Sequence, residues 1–289
     1  MEKIIQDYIQ YLHTVKRVSQ NTEMSYQGDL KNAVEYFAEQ GITDPLQISA
    51  VNLNSYMIWM EKENLSAATV ARRIAAIRSF FHYLRKNNLI SEDPAEELKP
   101  PKVEKKAPVI LNAEEVDLLL NQPDGQTLKG IRDRAMLELL YATGIRVSEL
   151  IALEISDVEL KRGYIVCRRD IKERWISFGD SANKALTLYL EHAREILLKG
   201  KEGNLLFCNC SGGAMSRQGF WKLLKGYVKS AGIEADITPQ TLRHSFAMHL
   251  LQKGTDLRNV QELLGHSDLS TTVLYAQINR ERIGKLYND

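Results

Sequence analysis

Residues 97–108, Glu-Leu-Lys-Pro-Pro-Lys-Val-Glu-Lys-Lys-Ala-Pro, hold three prolines and four lysines in twelve positions. Proline fixes φ, removes a backbone donor and pushes the residue before it out of the helical region. No helix can run through this stretch, and like-charged lysines around prolines keep it extended and semi-rigid. The chain must therefore fold as two pieces. Its 289 residues agree, since a domain takes roughly 150 residues. We expect a helical domain over 1–98, a linker over 99–111 and a second domain over 112–289.

Outside the linker, breakers are scarce, with 17 Gly and 7 Pro in the whole chain, and apolar residues recur at helical spacing. Ile5, Tyr8, Ile9 and Leu12 mark a first helix. Asn21-Thr22 reads as a cap before Tyr26, Leu30, Val34, Tyr36 and Phe37. Ser49 precedes Leu53, Tyr56, Met57 and Met60. In the fourth helix, Ile74, Ile77, Phe81 and Leu84 should face a core. Its other residues include Arg72, Arg73, Arg78, Arg85 and Lys86 with no acid between them, and Arg78, His82 and Arg85 share one face. Such a one-signed face is either a solvated surface or a place for a phosphate backbone.

Beyond the linker, Asn112 to Glu115 opens a helix by capping logic. Further helices run through Met136–Leu140 and Val147–Ile151. Tyr164–Arg169 and a strand from Arg174, four residues apart, read as a β-hairpin. Helical periodicity resumes at Ser181 and again at Ser216, where Lys222, Lys225 and Lys229 form a second basic stripe. The fold class expected is mainly α with a small β-sheet (α+β).

Charge does not announce a partner. The chain has 38 Lys and Arg against 37 Asp and Glu, so no overall basic surplus draws it to nucleic acid. Three cysteines do not build a disulfide framework, and Cys208-x-Cys210 lacks the second pair that zinc needs. We expect no metal and no cofactor. Glu2, Lys3 and Asp7 interrupt any signal-peptide core, and no stretch approaches about 18 apolar residues. The expectation is a cytoplasmic protein that does not enter a membrane.

Three segments combine strong phosphate ligands with tight turns. They are Ala142-Thr-Gly-Ile-Arg-Val-Ser-Glu-Leu150, Thr241-Leu-Arg-His-Ser-Phe246, and Leu263-Leu-Gly-His-Ser267 followed by Tyr275. Arg146 comes just after Gly144 where a helix begins, and Arg243 lies near the start of a helix behind Thr238-Pro239. An arginine fork beside the free N–H groups of a helix start suits a phosphate. His266 follows a helix C-cap at Gly265, and Tyr275 falls one turn into a helix begun by Ser270-Thr271-Thr272. The bland alternatives are an Arg146–Glu149 ion pair and histidines, such as His244 and His249, that merely pack.

Together these segments, with the stretch from Leu242 to Tyr275, resemble the signature of the tyrosine recombinases, among them the Xer-type resolvases and phage-type integrases. The resemblance spans nearly the whole chain. It implies an N-terminal four-helix SAM-like core-binding domain and a C-terminal catalytic domain. The motif arginines fall on Arg146 and Arg243, the motif histidine on His266 and the nucleophile on Tyr275. Tyr275 would attack a DNA phosphodiester to give a 3′-phosphotyrosyl bond and a free 5′-hydroxyl, with no metal or nucleotide. The arginines would stabilise the charge that develops on the phosphate. A free phenol loses its proton only near about pH 10, so Tyr275 needs that cationic setting.

Two positions depart from the family pattern, and both concern proton transfer. Gln240 stands three residues before Arg243, where the family has His or Lys; glutamine can bond a phosphate but cannot carry a proton. The hairpin lysine that protonates the leaving hydroxyl falls on Lys172, with Arg169 as the alternative. Candidate DNA contacts are Arg72, Arg73, Arg78, Arg85, Lys222 and Lys225. The partners implied are double-stranded DNA bearing specific sites and further subunits, in a homo- or hetero-tetramer. Competing functions are a DNA-binding accessory factor with weakened catalysis and a relaxing enzyme of the type IB topoisomerase kind.

Overall fold

The computed structural model of the chain describes residues 2–103, 107–169 and 172–265, with the backbone alone at Arg169 and Lys172. Two compact units divide between Lys106 and Ala107, inside the proline–lysine segment.

The first unit contains α1 (Glu2–Thr14), α2 (Gln20–Glu39), α3 (Ala50–Lys62) and α4 (Ala67–Lys86). Three of these starts are fixed by a serine hydroxyl. Ser49 and Asn52 form a reciprocal capping box on α3, and Ser66 accepts from the Thr69 N–H on α4. The α2 cap is Ser19, which accepts from the Thr22 N–H. Asn21 and Thr22 therefore sit inside the first turn rather than capping it, because a hydroxyl three residues ahead already takes that donor. The predicted α4 stripe holds: Ile74, Ile77, Phe81 and Leu84 are buried against Tyr8, Leu12, Phe37 and Tyr56.

One basic residue on α4 turns inward. Asp29 of α2 is buried and pairs with Arg72 Nη1, while Arg73 Nε lies 3.8 Å from its other oxygen. Arg73 Nη1 also donates to the Tyr56 hydroxyl at 3.2 Å. With its side chain only 12 % exposed, Arg73, expected as a DNA contact, is engaged by Asp29 and Tyr56. Arg72 stays half-exposed although anchored to Asp29. Arg78 and Arg85 are exposed, and the Arg85–Glu96 pair at 3.3 Å is open to solvent, where such a pair adds little. Replacing Asp29 with Ala is expected to cost about 3 kcal/mol, because it strands the Arg73 guanidinium in the interior. Urea unfolding of the full chain, with amide exchange in α2 and α4 as the local readout, checks this.

The second unit is arranged around α6 (Leu128–Thr143), which is buried on nearly every side from Arg132 through Leu140. A helix buried on every side belongs at a centre, and this one takes Arg132, Asp133 and Glu138 inside with its apolar residues. Around it lie α5 (Ala113–Leu120), α7 (Val147–Leu150), α8 (Asp180–His192), α9 (Arg194–Leu198), α10 (Arg217–Ser230), α11 (Pro239–Gln252) and α12 (Leu257–Leu264). The buried charges on α6 are satisfied: Arg132 donates to Asp133 at 2.6 Å, and the Tyr227 hydroxyl donates to the other Asp133 oxygen at 2.8 Å.

An antiparallel sheet in the order β1 (Val158–Glu159), β2 (Tyr164–Arg169), β3 (Lys172–Ser177) packs on this core. The β2–β3 register runs from Tyr164 opposite Ser177 to Arg169 opposite Lys172. The second strand thus starts two residues before Arg174. Lys172 and Glu173 are charged and carry no strand pattern of their own; pairing with β2 makes them strand. The two-residue β1 is too short for alternation to reveal.

Cys167 and Cys208 are buried and Cys210 is exposed. Burial, with the nearby Glu149 charge, pushes the Cys167 thiol up to about 11. At pH 8 iodoacetamide, which reacts with thiolate, is therefore expected to label Cys210 alone in the native chain. All three cysteines should be labelled in denaturant, as peptide mass spectrometry would show.

Candidate active site

The site begins where α6 stops. Gly144 caps α6 in the left-handed region at φ 59°, and a Cβ there would come within 2.3 Å of the Phe246 ring. Only glycine meets both the conformation and the space. The chain reverses at once, so that Arg146 is the N-cap residue of α7. Glu149, one turn on, accepts the Arg146 backbone N–H at 2.7 Å through Oε2. Its Oε1 lies 3.4 Å from the Arg146 guanidinium. The ion pair weighed as an alternative is present, and it holds Arg146 at the surface with its side chain 27 % exposed.

Helix α11 starts at a Thr238 cap followed by Pro239, with Gln240 exposed in its first turn. Arg243 lies a full turn in and is 2 % exposed. Its guanidinium does not join the helix-start N–H groups, as its place in sequence suggested. Nη1 instead donates to the Gly144 carbonyl, and Nη2 to the Leu264 carbonyl at 2.6 Å. At that depth in α11 the backbone N–H groups are already paired, so the long side chain reaches across to two helix ends.

The second of those ends organises the site. Helix α12 closes on Gly265, again left-handed at φ 60°, whose N–H returns to the Gln261 and Glu262 carbonyls. The next three carbonyls have no partner within the helix, and each takes an arginine. Arg174 Nη1 donates to Leu263 O at 2.8 Å, Arg243 Nη2 to Leu264 O, and Arg146 Nη2 to Gly265 O at 3.2 Å. Arg174 also donates to Glu149 Oε1 at 2.5 Å. Arg146 and Arg174 thus share the Glu149 carboxylate, and with Arg243 they converge on the negative end of a helix dipole. That surplus of positive charge suits an anion.

Arg174 escaped the sequence reading. An arginine two residues before Ile176, and so on the same face of the strand, is the one available signal, since a charge on an inward strand face requires an acid.

Lys172 opens β3 directly opposite Arg169. His266 and Tyr275 lie outside the described residues, His266 being the residue that follows Gly265. Burial, with Arg243 beside it, lowers the His244 pKa, which favours the neutral ring. His249 Nδ1 is bonded to the Tyr141 hydroxyl at 2.7 Å. On α10, Lys222 is exposed, whereas Lys225 pairs with Asp236 and lies 5.4 Å from the Trp221 ring centre. Among the described residues no cluster could hold a metal ion, and no helix is long and apolar enough to cross a membrane.

Comparison with known proteins agrees along the whole chain. Residues 110–282 match the phage integrase family, and residues 5–88 match the phage integrase N-terminal SAM-like domain. The tyrosine recombinase XerD of Listeria monocytogenes serotype 4b (strain F2365) is 44 % identical over 99 % of this chain and 98 % of its own. The tyrosine recombinase XerD of Staphylococcus haemolyticus (strain JCSC1435) is also 44 % identical, over 100 % of this chain and 98 % of its own. Among solved structures, the XerH site-specific recombinase bound to difH substrate in a pre-cleavage complex superposes with a TM-score of 0.73 at 26 % identity, covering 94 % of this chain and 81 % of that one.

Proposed function

The chain belongs to the phage integrase family, the tyrosine recombinases, and we propose that it is a site-specific DNA recombinase whose Tyr275 oxygen attacks a backbone phosphorus. The P–O bond to the 5′ side breaks, the DNA 3′ phosphate passes to Tyr275, and the leaving oxygen takes a proton as the 5′-hydroxyl. A 5′-hydroxyl from another strand then reverses the step. The phosphotyrosine keeps the bond energy, so the exchange draws on no nucleotide.

The observation that carries this reading is the triple arginine contact at the carbonyl end of α12. It brings Arg146 to Gly265 and Arg243 to Leu264, the two residues before His266, which itself stands nine residues ahead of Tyr275 in sequence. Arg146, part-exposed, and Arg243, held rigidly from behind, are the ligands for the non-bridging oxygens. Donors already fixed in place stabilise developing charge without reorganising. His266 donates to the same phosphate, and Gln240 contributes a hydrogen bond. Lys172 supplies the proton to the leaving oxygen.

We assign DNA-backbone contacts to Arg78, Arg85 and Lys222, with Arg72 and Lys225 sharing themselves with Asp29 and Asp236. Residues 1–98 form the core-binding domain, 99–111 the linker and 112–289 the catalytic domain. Four subunits on two DNA sites, in the cytoplasm, complete the reading. Incubation with nicked chromosomal DNA of the parent organism should leave a protein–DNA adduct that survives detergent, with the nucleotide mapped to Tyr275 by peptide mass. Repeated failure to trap any adduct, beside clear sequence-specific binding, would instead favour the accessory-factor function.

A further inference from the structure

We infer that Arg174 is a positioning residue for the arginine clamp, tying the β2–β3 hairpin to α7 and to the last turn of α12. The inference rests on the recombinase reading for its consequence but on geometry for its substance. Three separate chain segments meet at this one guanidinium. It extends from β3, two residues along the strand from Lys172. One nitrogen donates to Glu149 Oε1 at 2.5 Å and another to the Leu263 carbonyl at 2.8 Å. Glu149 in turn fixes Arg146 through its backbone N–H and its guanidinium. The Arg174 side chain is 17 % exposed and Glu149 is 9 % exposed, so both bonds lie where water screens them little.

Gly265 packs directly on this contact. A Cβ at that position would come within 2.6 Å of Arg174 Nη1. The end of α12 is therefore seated on the Arg174 guanidinium. Lysine cannot replace this arginine, because a single ammonium on a flexible stem lacks the planar fork that spans a carboxylate and a carbonyl together. Whatever moves the hairpin moves Glu149, and with it Arg146, so the proton-donating and phosphate-binding parts of the site are set in one step.

The test uses the full chain. In R174K, affinity for the recognised duplex should stay within about twofold, while adduct formation at saturating nicked duplex slows about 10- to 100-fold, the usual consequence of ångström-scale misplacement. In an E149Q background the same change should add less than about twofold, because Arg174 then has no carboxylate to act through. W175A, at the exposed neighbouring residue, should leave the rate unchanged. Equal rates for R174K and the unmodified chain, or an undiminished R174K effect in E149Q, would overturn the coupling. A second readout needs no activity: amide exchange in 261–265 should quicken in R174K while that of α8 does not, and unchanged exchange there refutes the contact's role. If the unmodified chain forms no adduct, the recombinase reading fails by itself and amide exchange still decides the inference.

Discussion

Replacing Arg243 with alanine is expected to slow covalent adduct formation about 1000-fold, the upper range for losing one preorganised donor to developing charge. A second loss accompanies it. The Gly144 and Leu264 carbonyls both accept from this guanidinium, and a buried carbonyl left without a donor costs about 1–3 kcal/mol. The variant should therefore be less stable as well as slower, and the two effects need separating. Arg243→Lys does so. It keeps a positive charge near the phosphate but cannot bridge two carbonyls 120 residues apart in sequence, so stability should fall nearly as far as in alanine. The rate should recover only in part. Thermal melting beside single-turnover trapping reads both, and an alanine variant that cleaves at the unmodified rate would remove Arg243 from the chemistry.

That double role explains which parts of the molecule could be read from sequence. Helix faces were legible because their cause is local: Ile74, Ile77, Phe81 and Leu84 lie on one side of α4 by the 3.6-residue period alone. Capping logic found Ser49 and Asn112, yet placed the α2 start at Asn21, because two or three adjacent polar residues compete for one donor. The arginine partners were not legible. Arg243 bonds Gly144 across 99 residues, and Arg174 bonds Leu263 across 89. Arg73 looked like a surface cation until Asp29, on another helix, drew it inward. Distant pairs of this kind obey no period; the fold creates them by bringing helix ends together. Gly265 is the exception, since a glycine that ends a periodic run signals a left-handed cap; Gly144 reads in sequence only as the turn before Arg146, yet it too is a left-handed cap, and both caps shape the site.

The altered hairpin and Gln240 concern protons rather than phosphate, and a change of leaving group isolates that chemistry. A 5′-bridging sulfur departs as a thiolate, which needs no proton, whereas a 5′-oxygen departs well only when an acid protonates it. With the oxygen substrate, Lys172→Ala should slow adduct formation about 1000-fold, within the usual range for a general acid. With the sulfur substrate the same variant should cleave within about tenfold of the unmodified chain, because the step that the lysine assists has become dispensable. Arg243→Ala should gain nothing from sulfur, since charge still develops on the non-bridging oxygens. Arg169→Ala provides the decisive contrast. Arg169 faces Lys172 across the hairpin, but a guanidinium holds its proton too firmly to pass it on. Its removal should lower cleavage of both substrates alike. If sulfur rescues Arg169→Ala and not Lys172→Ala, the acid belongs at Arg169, and an enzyme with a guanidinium in that role should cleave its natural oxygen substrate slowly from the outset.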